Sequence, residues 1–229
     1  MTAIRRVFPL LLGLLVLGVA PVGAQTITSP YRFLDYRHSA GVFGGYIATD
    51  AGRLDLGPES SPVVGARYTF RLGGALSLEA QATLIPTTRE VFDTVAINEP
   101  LQRVGEADLT ILSTMAALRF NVTGPRTWYG FQPYLLGGLG FAFELSGTAP
   151  AEVRILPDAR FDFGTRFAGQ VGAGVEWFAA RRLSIFADAR DVFWKLKFPA
   201  GIRRQDEGKL PADEWVQNFQ FQLGAAYHF

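Results

Sequence analysis

The sequence predicts an all-β fold: an eight-stranded antiparallel up-and-down transmembrane β-barrel with short periplasmic turns and long extracellular loops. Three observations predict it. Eight stretches alternate apolar and polar residues with the period of two that marks a strand between two different environments. The connections between them alternate short and long, as they do in outer-membrane barrels. After residue 25 the longest unbroken apolar run, Pro133 to Phe143, is glycine-rich and too short for a spanning helix.

The first 24 residues stand apart from this pattern. Arg5 and Arg6 supply a positive start, Val7 to Val19 an almost unbroken apolar stretch, and Val22-Gly23-Ala24 a small-residue end. That is the pattern of a secretory signal peptide cut after Ala24. Residues 25–37 then form a short periplasmic lead-in, and residues 38–229 the barrel. Net charge moves from +1 to about −1 once Arg5 and Arg6 leave, so no basic field points to nucleic acid. With no cysteine, a disulfide framework, a zinc–thiolate site and a catalytic thiolate are excluded.

The strands follow in order. Gly41 to Ala48 is a glycine-rich first strand. Val63 to Leu72 places Val64, Ala66, Tyr68, Phe70 and Leu72 opposite Arg67, Thr69 and Arg71. Leu76 to Leu84 sets leucines and alanines against Ser77, Glu79, Gln81 and Thr83. Leu112 to Val122 sets Leu118 and Phe120 against Arg119 and Asn121, and Tyr129 to Leu145 is a fifth and longest strand. Phe167 to Trp177 carries Glu176 on its polar stripe, and Leu183 to Trp194 turns Asp188 and Arg190 away from Ile185, Ala187 and Ala189. In the last strand Phe219, Phe221, Leu223, Ala225, Tyr227 and Phe229 alternate with Asn218, Gln220, Gln222, Gly224, Ala226 and His228. No comparable stretch shows helical spacing. Short turns fall at Gly73-Gly74, 123–126 and 179–182; the connections at 49–61, 85–106, 146–165 and 196–214 are expected to be long loops.

Alternation alone also suits a soluble lipocalin-like barrel with its apolar stripe inside. Three features place that stripe outside, on lipid. The polar stripe is mostly small residues and amides, with no lysine in the first six strands, which suits the narrow interior of an eight-strand barrel better than a water-facing surface. The four tryptophans, Trp128, Trp177, Trp194 and Trp215, fall at strand ends and suggest aromatic girdles at two membrane surfaces. Arg67, Arg71, Glu79, Arg119, Glu144, Glu176, Asp188 and Arg190 share the inward stripe, and a turn about Gly73 would set Arg67 opposite Glu79. Inward charges must pair. The lumen is therefore expected to be a closed polar plug.

Gln132-Pro133-Tyr134-Leu135-Leu136-Gly137-Gly138-Leu139-Gly140 and the terminal Leu223-Gly224-Ala225-Ala226-Tyr227-His228-Phe229 resemble strands of the small eight-stranded outer-membrane β-barrel domains, of the OmpA, OmpX and OmpW type. The resemblance implies that the last strand, through Tyr227 and Phe229, is recognised by the barrel-assembly machinery. Its motifs are structural and specify no activity.

Chemistry has few candidates. The two histidines, His38 and His228, both fall at the periplasmic rim, away from the outer rim where barrel enzymes resembling this family hold theirs. The acidic residues of the loops, among them Asp50, Asp55, Glu59, Asp93, Glu99, Glu106, Asp158, Asp162, Asp206, Glu207 and Asp213, show no calcium-loop spacing. The expectation is a non-enzymatic, monomeric integral outer-membrane protein with no cofactor, contacting outer-membrane lipid and lipopolysaccharide. A narrow pore or lateral route for small apolar molecules is the alternative, and requires an open or apolar lumen.

Overall fold

Backbone pairing decides this architecture, since strands whose outer face is apolar gain most by closing every edge. In the computed structural model, residues 29–93, 102–147, 152–153, 155, 159–205 and 211–229 are described. The signal-peptide residues 1–24, and Glu99, Asp158, Asp206 and Glu207, lie outside them. The elements are β1 (Tyr31–Phe33), β2 (His38–Ala48), β3 (Ser61–Gly73), β4 (Leu76–Asp93), β5 (Gln102–Asn121), β6 (Arg126–Trp128), β7 (Phe131–Glu144), β8 (Thr165–Trp177), β9 (Leu183–Lys197), α1 (Ala200–Gln205) and β10 (Asp213–His228).

Eight of these strands close in the order β2-β3-β4-β5-β7-β8-β9-β10, and β10 pairs back onto β2. The short β1 pairs with β6 at the turn end, Arg32 opposite Thr127, so part of the lead-in is strand. One row of paired residues runs His38, Phe70, Leu78, Leu118, Gly137, Val171, Asp191, Phe219 and returns to β2 at Ala48. The row re-enters 48 − 38 = 10 residues higher on the strand. A stagger of that size on eight strands, at about 3.3 Å per residue and about 4.8 Å between strands, tilts them by about 40°. Its axial rise is about 25 Å, the height of a lipid-facing band.

Apart from His38 at the turn end and Asp191 on β9, the outer face of that row and its neighbours is apolar. Val42, Val64, Leu78, Leu118, Leu139, Val171 and Leu223 are exposed, while Arg67, Glu79, Gln81, Arg119, Glu176, Asp188, Arg190 and Gln220 are buried inside. A soluble barrel would show the reverse.

Two expectations are corrected by the backbone. The turn after β3 slips register between Arg71 and Gly73, so Arg67 faces Gln81 and Thr69 faces Glu79. Gly74, at φ 55°, takes the left-handed conformation that this tight turn needs. Residues 85–106 are not simply a loop: β4 runs on to Asp93 and β5 begins at Gln102. Ladder pairs continue from Ile85 opposite Ile111 to Asp93 opposite Gln102. The alternation persists there with its faces exchanged: Ile85, Val91, Ala107 and Leu109 point inward and are buried, whereas Pro86 and Asp108 point outward and are exposed. Above the lipid-facing band, water is outside.

The same exchange builds a core that the sequence reading did not anticipate. Ile47, Val63, Ile85, Leu109, Ile111, Val192 and Trp194 close the loop-end half of the interior. Leu56, Phe161, Phe163, Phe198 and Ile202, from the loops and α1, fold down onto them. Trp194 belongs to this core and not to a girdle: it is 0% exposed and meets Phe163 edge-on, with ring centroids 5.7 Å apart. Its place on β9 has the parity of Asp188 and Arg190, which turns it inward.

Candidate functional site

The interior below that core is where the charges converge. Alternate positions on β3, β4, β5, β8 and β9 aim Arg67, Glu79, Arg119, Glu176, Asp188 and Arg190 at the barrel axis, because each shares parity with a buried small or polar neighbour on its strand. Arg190 Nη2 donates to Glu79 Oε1 at 2.8 Å and its Nε to Asp188 Oδ1 at 2.8 Å. Arg67 Nη1 donates to Asp188 Oδ2 at 3.3 Å and to the Tyr134 hydroxyl at 3.1 Å. That hydroxyl donates to the same Asp188 oxygen at 2.8 Å. Arg119 Nη2 reaches Glu176 Oε2 at 2.5 Å and Nε reaches Asn121 Oδ1 at 3.0 Å. Glu79 and Arg67 approach to 3.8 Å in spite of the shifted register, because both side chains cross the lumen centre.

Three arginines thus meet three carboxylates, with no net charge among these six. Two guanidiniums also lie on aromatic faces, Arg67 at 3.1 Å over Phe186 and Arg119 at 3.6 Å over Tyr134. Those rings fill the gaps that ion pairing leaves, so the layer is packed as well as neutralised.

Two members of the expected network lie elsewhere. Arg71 stands at the turn-end rim, where Nη1 donates to the Leu34 carbonyl at 2.7 Å and ties down the lead-in. Glu144 stands at the loop end, accepting from Phe163 N at 3.0 Å, Gly164 N at 3.1 Å and Ser146 Oγ at 3.1 Å. It caps a loop and meets none of the central arginines. Gln81, Gln170, Gln220 and Gln222 form an amide layer between the charges and the apolar core, and parity alone could have shown it.

The turn-end rim brings together a serine, a histidine and a carboxylate. Ser184 Oγ donates to Glu176 Oε1 at 2.5 Å and lies 2.7 Å from His228 Nε2, which is 3.2 Å from the same carboxylate oxygen. This is not a nucleophile–base–acid relay, in which the imidazole stands between the other two. The hydroxyl is committed to the carboxylate, and both partners crowd one ring nitrogen. His38 points to the other face, with Nδ1 2.5 Å from the Tyr68 hydroxyl and its ring stacked on Phe229 at 5.6 Å. The two histidines therefore cannot share a ligand, and among the described residues no group of three metal-ligating side chains occurs. Removing the Ser184 hydroxyl (Ser184→Ala) is expected to destabilise the barrel by about 2 kcal/mol, through a lost hydrogen bond to a buried charge. The shift in urea midpoint in lipid vesicles measures it.

Outside, Trp128, Trp177 and Trp215 are exposed at the rims. Trp177 stacks on Phe131 at 6.3 Å, and Trp215 stands beside Phe193 at 6.0 Å with Lys195 Nζ 5.3 Å from its ring. Tyr227 and Phe229 stack at 6.3 Å on the outer face of the turn end.

The profile of the outer membrane protein beta-barrel domain matches residues 12–229. No curated protein matches the chain. Among solved structures, the outer membrane protein OprG from Pseudomonas aeruginosa aligns with a TM-score of 0.55 at 14% identity, over 88% of this chain and 99% of its own. The N-terminal β-barrel domain of Pseudomonas aeruginosa OprF aligns at 0.45 and 12%, over 85% and 98%. Neisserial surface protein A aligns at 0.48 and 14%, over 88% and 98%. At these identities the OprG likeness speaks to the fold alone.

Proposed function

The chain belongs to the outer membrane protein beta-barrel domain family, and from that premise we propose that it is a non-enzymatic integral protein of the outer membrane with a plugged lumen, presenting its loop end outside the cell. Its first 24 residues would serve export, and Tyr227 and Phe229 would be read by the barrel-assembly machinery. The observation that supports the proposal is the sequence of buried side chains along the barrel axis. A neutral charge cluster, four buried glutamines and an apolar core follow one another along the axis, an order that supports a closed lumen. The site offers no activated nucleophile, since Ser184 donates to Glu176.

One observation favours a second role. The loop-end half of the lumen holds a cluster of buried apolar side chains, which suits an apolar solute entering from outside or from the side, although the charge cluster below it argues against passage along the axis. Two measurements on one preparation separate these roles. Unboiled protein from the outer-membrane fraction is expected to migrate faster in a detergent gel than boiled protein, as a closed barrel does. In planar bilayers it is expected to give no unitary conductance steps. Steps of conductance would overturn the plugged lumen and leave the transport role. A protein found in the soluble periplasm with no mobility shift would overturn the membrane placement itself.

A further inference from the structure

The outer face of β9 carries a group that the lipid-facing band does not explain. Among the described residues, Asp191 is the only charged side chain that points outward between the turn-end rim and the Lys195–Trp215 pair. It stands six of the eight steps along the row that climbs from His38 to Ala48, in the outer part of the band. Its neighbours across the strands are Val171 and Phe219, and those along its own face are Ala189 and Phe193. None of these side chains can donate a hydrogen bond, and Asp191 Oδ1 is covered yet has no partner. Phe193 lies flat over Gly169, where even a Cβ would meet its ring, so the aromatic wall above Asp191 is fixed by packing.

Among the described residues no cation relieves this carboxylate. Lys195 is four residues farther up the same face, about 10 Å along the axis. It is already paired with Asp213 at 3.3 Å. The membrane around the band can supply a partner. At this depth an ester-linked phospholipid offers only carbonyl acceptors, which a carboxylate cannot use. A lipid with hydroxylated, amide-linked chains offers O–H and N–H donors at that depth, just below its head group. Above Asp191 the surface changes in the matching order: the exposed amide of Gln217, then the Trp215 ring paired across the strands with Lys195, then Lys197, toward the level where lipid phosphates lie. These two lysines are the only ones outside residue 209.

We propose that the β9–β10 face, with Asp191 at its foot and Gln217, Lys195 and Lys197 above, is a binding strip for a phosphorylated, hydroxyacylated outer-leaflet glycolipid of the lipopolysaccharide class. The inference rests on the outer-membrane placement proposed above. Asp191 accepts from the chain-linkage donors, and the phosphate is taken by Lys197 together with Lys195, which it shares with Asp213. Trp215 lies against the junction between them.

The test uses the folded protein in detergent, with native mass spectrometry reading bound lipid. The probes are lipid A, phosphatidic acid, which has the phosphate but no chain donors, and phosphatidylcholine. Wild type is expected to retain lipid A at least tenfold over phosphatidic acid. Asp191→Leu is expected to lose about tenfold of the lipid A while leaving phosphatidic acid unchanged. Lys195→Gln is expected to lower both, and Asp191→Asn, which keeps one acceptor oxygen, to fall between wild type and Asp191→Leu. Equal lipid A retention in wild type and Asp191→Leu would overturn the proposal. So would a dimer in place of lipid adducts that Asp191→Leu abolishes, since the strip would then meet a second copy. The gel-mobility shift of each variant reports folding independently. A wild type with no shift would count against the membrane placement, whereas a shifted wild type without lipid preference counts against the strip alone.

Discussion

Replacing Glu79 with alanine is expected to destabilise the barrel by about 3–5 kcal/mol, the range seen when one partner of a buried charge pair is removed. The size follows from where Glu79 stands. Its side chain is 0% exposed, it holds Arg190 at 2.8 Å, and it lies within 3.9 Å of both Arg67 and Arg119. Its loss leaves three buried guanidiniums facing Glu176 and Asp188 alone. Glu79→Gln keeps the shape and one acceptor and is expected to cost less. Urea unfolding in vesicles, followed by tryptophan fluorescence, gives both numbers. An unchanged midpoint for Glu79→Ala would mean that counter-ions and water reach the layer freely, and the plug would have to be abandoned.

An arginine in place of Leu223 is expected to cost about 2–4 kcal/mol, or to prevent assembly, because the side chain would enter the middle of the lipid-facing band. Leu223 points outward, 63% exposed, with Gly44 and Ala187 beside it on β2 and β9. Neither offers a counter-charge. Val171 lies at a comparable depth but faces Asp191, so an arginine there could pair and give a smaller effect. Comparing Leu223→Arg with Leu223→Ala in the same vesicles isolates the charge. A Leu223→Arg variant that stays soluble and folded would place the apolar surface in water.

The eight long strands and their facing were legible because a membrane barrel writes one rule along every strand, apolar outward and polar inward. Errors arose where that rule stops. Beyond Leu84 the outer neighbours become Pro86, Thr88 and Glu90, and the stretch looks like loop although its inward residues Ile85 and Val91 hold it in the ladder. Trp194 stands at a strand end, as a girdle residue would, but its parity with Arg190 turns it inward. The Arg67–Gln81 register depends on the irregularity between Arg71 and Gly73, which local composition does not announce. Glu144 has the inward parity of the network, but parity gives no height along the axis, and its height sets it among the loops. The central ion pairs form between strands far apart in sequence, so the sequence supplied their members and only the closed ring supplied their partners.

The seam between β2 and β10 sets the order in which this molecule can come into being. Ser39 pairs with His228, 228 − 39 = 189 residues away. Two backbone hydrogen bonds, His38 N to Phe229 O and Phe229 N to His38 O, fasten its end. Every other junction of the eight-stranded ring can form between neighbouring strands as the chain appears, but this one waits for the last of the eight. Until it forms, β2 and β10 each present an open row of donors and acceptors, and Arg67, Glu79 and Arg190 have no common interior. Closure is a single late event that ends two hazards together, strand-edge aggregation and unpaired interior charge. A polypeptide built this way spends its vulnerable time unsealed.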